Sequence, residues 1–312
     1  MARHLFGIIC THHGTAANNR AETEGNITTL QKILWNGAVH STVSAEAIRW
    51  ALRYGWQRKG LTTNRQWQDE LNRHEWRDPD FQRGAVEFID DDVLGYMSAR
   101  AAQAEANAEE GGGRRRGRAR GTTDARRARL EVTRAISLTP WAGDITFNAA
   151  SINATPSAAL QGMFPVPYGT EVHATRYQYG FALTPTELAV PRRALDVVDG
   201  LMQLDDVAGN HARFLFDFSP ESVIFRWTDD FAPRMLYAFR EENGAVRAPM
   251  VVERVRAGDI RADELIVGGA ISATADGQAL RELGATVHAG VRAAAEDVKQ
   301  RLAAYLNTSE AR

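Results

Sequence analysis

Cysteine is nearly missing from this sequence: Cys10 is the only one in 312 residues. That excludes an internal disulfide framework and a thiolate-rich zinc site, and it fits a reducing cytoplasm. Long apolar runs are missing too. The opening MARHLFGIICTHHGT holds one short apolar run, Leu5 to Cys10, before polar residues resume, too short for a signal peptide or a membrane span. The expectation is a soluble intracellular protein with no membrane partner. No HExxH, no P-loop, no G-x-S-x-G and no G-x-G-x-x-G occurs, so the sequence suggests no cofactor, no metal and no catalytic residue. Net charge is scarce as well, at −2. A protein that binds phosphate by bulk charge would be basic throughout, so any nucleic-acid grip here must be local.

Local concentrations of charge are present. RRRGRARGTTDARRAR, residues 114–129, carries Arg114, Arg115, Arg116, Arg118, Arg120, Arg126, Arg127 and Arg129 against the single acid Asp124. Residues 1–60 are net basic and residues 61–113 net acidic. The arginine run follows SARAAQAEANAEEGGG, which has no apolar periodicity, so residues 98–123 read as a disordered insertion that cannot bury enough surface to order itself. The great excess of arginine over lysine reflects genome composition as readily as phosphate recognition.

Around that insertion the chain reads as ordered α+β structure. Leu5–Thr11 reads as a buried strand and residues 12–28 as a long polar loop. STVSAEAIRWALRYGWQ reads as a helix with Ser44 as N-cap and Glu46 in its first turn. Ala45, Ile48, Leu52 and Trp56 form its inward face, and Arg49 and Arg53, four apart, share another. Residues 64–78 read as a short helix, and AVEFIDDDVLGYM begins like a strand at Val86 and Phe88. TEVHATRYQYGFALTP has strong β propensity, with His173, Thr175, Tyr177 and Tyr179 on one face. PRRALDVVDGLMQL is helical, ARFLFDFSP and ESVIFRWTDD are strands with Pro220 in the turn between them, and GQALRELGATVHAGVRAAAEDVKQRLAAYL is one long helical pattern. The regular strand–helix cadence of a doubly wound sheet is missing, which favours an antiparallel sheet with helices on one side and large insertions.

Three candidate chemistries follow. Asp90, Asp91 and Asp92 invite a metal, but in a strand at most Asp90 and Asp92 converge, and a hard cation needs more oxygens. A solvated turn or a partner-facing acidic lip is the favoured reading. His12 and His13 offer general acid–base groups for RNA cleavage, though adjacent histidines diverge in extended chain. For nucleic acid the pattern is better: Arg49 and Arg53 lie next to a polar loop with Asn18, Asn19, Arg20, Asn26 and Thr28, and amides at the Ser44 helix start add an anion site.

EGNITTLQKI, VSAEAIRWALR, FIDDDVLGYM, RAISLTPWAGDITFN and GNHARFLFDFSPESVIFRWTDD together resemble the DevR-type, RAMP-class backbone subunit of type I (I-B-like) CRISPR Cascade complexes, in the family's order from about Leu5 to Asp230. The resemblance implies an α+β fold: an RRM-like, ferredoxin-like palm with an antiparallel sheet, a fingers insertion and a thumb hairpin. The palm core would span 1–60 and 124–240, with the thumb near 151–175. The fingers would span 61–123 with the basic arm at 98–123, and 241–312 would complete the palm with a long helix. It further implies a non-catalytic subunit whose copies polymerise head-to-tail along CRISPR guide RNA, with target DNA and other Cascade subunits as partners. Carried onto this sequence, the RNA contacts fall on Arg20, Asn26, Thr28, Ser44, Arg49, Arg53, Asn210 and His211. Met163 and Phe164 would wedge between bases, and Arg114, Arg115, Arg116, Arg118 and Arg120 form a mobile electrostatic arm.

Two other functions compete. Because RAMP-like folds also process CRISPR RNA, an endoribonuclease using His12, His13 or His211 is the main alternative. A transcriptional regulator, suggested by the family's historical naming, has least support, since no helix-turn-helix is recognisable.

Overall fold

In the computed structural model the described residues are 2–17, 23–97, 125–149, 151, 167–204, 207 and 217–310. The strand His4–Thr11 is buried at every position. It pairs with Tyr177–Leu183 on one side and Pro220–Thr228 on the other, both antiparallel, and a separate core covers each face. Leu5 and Ile9 point into the first core, and Phe6, Ile8 and Cys10 into the second. A strand covered on both faces needs a continuous apolar run rather than an alternating one, which is how HLFGIIC reads. Gly7 is required there, because a Cβ would meet the Phe181 ring at 2.2 Å.

This trio is the centre of a nine-stranded sheet. Outward from Pro220–Thr228 lie Leu265–Gly269 and Thr286–His288; outward from Tyr177–Leu183 lie Ala135–Ser137, Ala38–Val43 and Lys32–Trp35, with Leu130–Val132 also on Tyr177–Leu183. Only Leu265–Gly269 and Thr286–His288 run parallel. Helices Ala45–Arg58, Arg193–Met202 and Val291–Glu310 cover the first face through Ile48, Leu52, Trp56, Val197, Leu201, Val298 and Leu302. Helices Pro249–Arg256 and Ala275–Glu282 cover part of the second, with Met235, Phe239 and Val246. The architecture is mixed α+β, as expected, but helices lie on both sides of the sheet. A smaller sheet joins Ile145–Asn148, Tyr168–Thr175, Ile27–Thr28, Thr23–Glu24 and Gly14–Ala17.

Several expectations need correction. Residues 64–78 contain a hairpin, Arg65–Gln68 with Arg73–Trp76, closed where Asn72 takes a φ of 49°. Cross-strand pairing of Trp67 with His74, packed on Trp50, outweighs helical spacing. The polar stretch 12–28 is not one loop but holds strands Gly14–Ala17, Thr23–Glu24 and Ile27–Thr28. Pro220 opens its strand opposite Thr11, where the register shifts, one of the few sheet positions that tolerate a missing N–H. The long C-terminal helical pattern is interrupted: helix Ala275–Glu282 ends before Gly284 at φ +103°, strand Thr286–His288 follows, and only then does Val291–Glu310 begin. The segment ARFLF lies outside the described residues.

Candidate nucleic-acid interface

The helix Ala45–Arg58 begins as its sequence dictates. Ser44 Oγ accepts a hydrogen bond from Ala47 N at 3.1 Å, satisfying one orphan donor of the first turn, so the hydroxyl serves as a cap. Ile48, Leu52 and Trp56 point inward and are buried; Ala45 is half-buried. Arg49 and Arg53 share the opposite side but meet different partners. Arg53 Nε donates to Asp90 Oδ2 at 3.2 Å and its side chain is 14% exposed. Burial lowers its pKa while Asp90 opposes that effect. Arg49 reaches Glu131 only at 3.7 Å and its Nε has no acceptor. Of the pair, Arg49 has the freer guanidinium for a phosphate.

Asn26 and Thr28 sit on the smaller sheet. Asn26 follows Gly25 at φ +62°, its Nδ2 donates to Pro167 O at 3.2 Å and its carbonyl accepts from Gly169 N. Gly169 packs closely, since a Cβ there would lie 3.0 Å from Ile27 and 3.2 Å from Ile145. The turn is thereby laced to the two strands flanking 149–167. On those strands Phe147 is 74% exposed and Tyr168 47% exposed, two exposed rings that are not among the sequence candidates. The alternation in ITFN was the available signal. Arg20, Met163, Phe164, Asn210 and His211 lie outside the described residues, as do Arg114, Arg115, Arg116, Arg118 and Arg120. Among the described candidates, then, Ser44, Arg49 and Arg53 share one helix while Asn26 lies in the turn and Thr28 on the following strand of a second sheet, and no hydrogen bond joins the two sets.

The three aspartates are neither a solvated turn nor an exposed acidic lip. They occupy the first turn of helix Ile89–Leu94 and all are buried. Helical rotation sends successive side chains about 100° apart, so each finds its own set of donors. Asp90 accepts from Asn64 N, Arg65 N and Arg53. Asp91 accepts from Asn64 Nδ2 at 2.9 Å, and burial, reinforced by the Asp90 charge, raises its pKa to about 7. Asp92 accepts from Ala189 N at 2.7 Å, Val190 N at 3.1 Å, Arg126 at 2.5 Å and Arg193 at 3.0 Å. The cluster ties the hairpin to the capped helix and fastens both strands at the neck of 98–124, where Tyr96–Met97 pairs with Ala125–Arg126. Among the described residues, no group of three or more His, Cys, Asp or Glu could hold a metal.

Ser41 Oγ lies 2.7 Å from both His173 Nδ1 and Tyr177 OH, a pairing that resembles a nucleophile and its base. Ser41 is fully buried, burial lowers the His173 pKa, and the other ring nitrogen meets Thr139 Oγ1 at 3.3 Å. A substrate cannot reach that hydroxyl, and the set is a buried polar network joining the two sheets. His12 and His13 are exposed at the strand end.

The profile of the family described as CRISPR-associated negative auto-regulator DevR/Csa2 matches residues 13–308. The chain belongs to this family. It is 49% identical over 310 residues to the CRISPR-associated protein Cas7/Cst2/DevR of Myxococcus xanthus (strain DK1622), covering 97% of this chain and 98% of that protein. Its fold is similar to a chain of a CRISPR RNA-guided surveillance complex in a pre-nicking state, with TM-score 0.55 and 12% identity over 96% of this chain and 100% of that one. A second CRISPR RNA-guided surveillance complex matches at TM-score 0.51 and 14% identity over 96% and 99% of the respective chains. Among the described residues no helix is long and apolar enough to cross a membrane.

Proposed function

We propose that this chain is the repeated backbone subunit of a type I, Cascade-type CRISPR complex. Copies stack head-to-tail along a guide RNA and hold it for pairing with target DNA, in the cytoplasm and beside the other Cascade subunits. Membership of the DevR/Csa2 family over nearly the whole chain carries this reading. The nine-stranded sheet with its first-face helices serves as the palm, the hairpin and residues 61–123 as the fingers, and strands Ile145–Asn148 and Tyr168–Thr175 as the base of the thumb. Guide contact falls on Arg49, the Asn26 turn and the exposed rings of Phe147 and Tyr168. This is a grip by charge and stacking, which tolerates any guide sequence because base pairing supplies specificity. Heterologous contacts that do not close into a ring suit a filament.

The chain is read as non-catalytic. In support, both described serine–histidine pairs, Ser41–His173 and Ser137–His40, are buried. Expression with neighbouring operon genes and a CRISPR array, followed by tag purification, tests the reading. The expected product is a large particle rich in nucleic acid whose RNA has one defined length, and an RNA-free monomer would overturn it. Incubating the purified protein with repeat RNA, with and without EDTA, tests the endoribonuclease alternative: a discrete product would support cleavage.

A further inference from the structure

Side chains directly opposite in an antiparallel pair project from the same sheet face. Gln31, Ile33 and Trp35 alternate along the edge, Ile33 pairs with His40, and Thr42 pairs with Ile136. Arg134, two residues before Ile136, therefore lies on this face, and its guanidinium confirms it by donating to Gln31 Oε1 at 3.2 Å and Thr42 Oγ1 at 3.1 Å. Ile136 also pairs with Gln178, and Gln178 with Cys10 of the second core. This is thus the face opposite the helix that carries Arg49. Its centre is covered by the second core, while at the Lys32–Trp35 edge Ile33 and Trp35 are only half-buried and Gln31 is exposed.

Three features of that margin point to a ligand. Arg134 is exposed and meets only neutral acceptors, with no carboxylate in ion-pair range among the described residues, unlike Arg53, Arg126 and Arg193. Beside it Trp35 and Tyr237 form a ring pair 5.1 Å apart, both half-buried. Tyr237 is held at φ 55° and its hydroxyl donates to Arg134 O at 2.9 Å. A bulky residue at positive φ is costly, and such strain persists where surrounding contacts fix it.

We propose that Arg134 and the Trp35–Tyr237 pair form a second nucleic-acid subsite, taking a phosphate of a single strand on the guanidinium and a base against the rings. A free cation beside aromatic faces is what a single strand needs, since every base has a π-face and every linkage a charge. The subsite rests on the proposed backbone function and adds a contact on the sheet face away from the capped helix. The strand is either the guide or the target DNA, and both present the same chemistry.

The test measures anisotropy of labelled single-stranded RNA on the free full-length chain, and of labelled single-stranded target DNA on the guide-loaded complex, each across a salt series. Arg134→Gln is expected to weaken binding about 3- to 10-fold and to flatten the slope of log affinity against log salt by about 0.7, one phosphate contact to a single strand. Trp35→Leu is expected to weaken binding about 5- to 100-fold without changing the slope. Loss confined to RNA assigns the occupant as guide, loss confined to DNA as target, and either supports the subsite. If the wild type binds while both variants melt normally and match it in affinity and slope, the subsite is refuted and the backbone function stands. If the wild type binds neither strand, the backbone function fails and the subsite with it. Should Trp35→Leu disturb the edge strand, the exposed Arg134→Gln alone decides.

Discussion

Replacing Asp92 by alanine removes a carboxylate with no solvent exposure that accepts from two backbone amides and two arginines. Breaking a buried ion pair from one side costs about 3–5 kcal/mol because the remaining charge loses its counterpart. Two compensations place the value at the lower end of that range. Arg193 keeps the carbonyls of Ala85, Val86 and Glu87, and Arg126 keeps the Asp92 and Glu187 carbonyls. Against this, the amides of Ala189 and Val190 lose their side-chain acceptor, but both bonds are only partly buried and water replaces part of the loss, so each costs about 1 kcal/mol, the low end for an unsatisfied N–H. The expected loss is about 3–4 kcal/mol, read by urea unfolding as a lower midpoint at unchanged m-value. Asp92→Asn loses less, about 2 kcal/mol, because one oxygen still accepts while its NH2 faces donors. Hydrogen exchange adds a spatial readout: amides of Tyr96, Met97 and Arg126 at the neck should lose protection more than those of His4–Thr11. A loss below about 1 kcal/mol for Asp92→Ala, or exchange uniform across both regions, would refute the view that this carboxylate clamps the neck.

Four further outcomes are expected. Asp91, raised to about 7 in the fold against about 3.9 unfolded, lets the unfolded chain release its proton first, so stability falls as pH rises from about 4 to about 7 and is flat above. Asp91→Asn removes that slope, and its gain near pH 8 should exceed that near pH 5 by about 1–3 kcal/mol; an equal gain at both would sink the assignment. Gly7→Ala drives a methyl into the Phe181 ring and should destabilise by about 2–3 kcal/mol. Gly55→Ala, helical with open space around its Cβ position, should stabilise by about 0.5–1 kcal/mol, and thermal melts separate the two signs. Deleting residues 114–120, with their five arginines, should shallow the salt dependence of nucleic-acid affinity while leaving particle size unchanged. Loss of RNA-loaded particles would make the arginine run a structural grip instead.

What was legible in the sequence was whatever is decided locally. The buried first strand follows from an unbroken apolar run, and the capped helix from Ser44, Glu46 and the Ile48–Leu52–Trp56 spacing, because cap and stripe lie within a dozen residues. What escaped depends on partners far along the chain. Asp90, Asp91 and Asp92 look like a solvated turn until Arg53, Arg126 and Arg193, brought from 34 to 101 residues away, turn them into a buried brace. Arg49 and Arg53 are equivalent by spacing, yet Asp90 occupies one and leaves the other nearly free. Arg134 went unnoticed because one arginine beside a short strand has no local signature, and only strand pairing sets it beside Trp35 and Tyr237. The same logic separates structural from functional charge in this fold. An arginine whose donors meet buried carboxylates braces the fold, and removing it reads out as stability. An exposed one that meets only neutral acceptors has charge left for a phosphate, and removing it should read out as salt-dependent affinity with the melting temperature unchanged. Arg193 and Arg134 are the opposed cases. Exchanging either result for the other would show that ion-pair partnership does not sort the arginines of this chain by role.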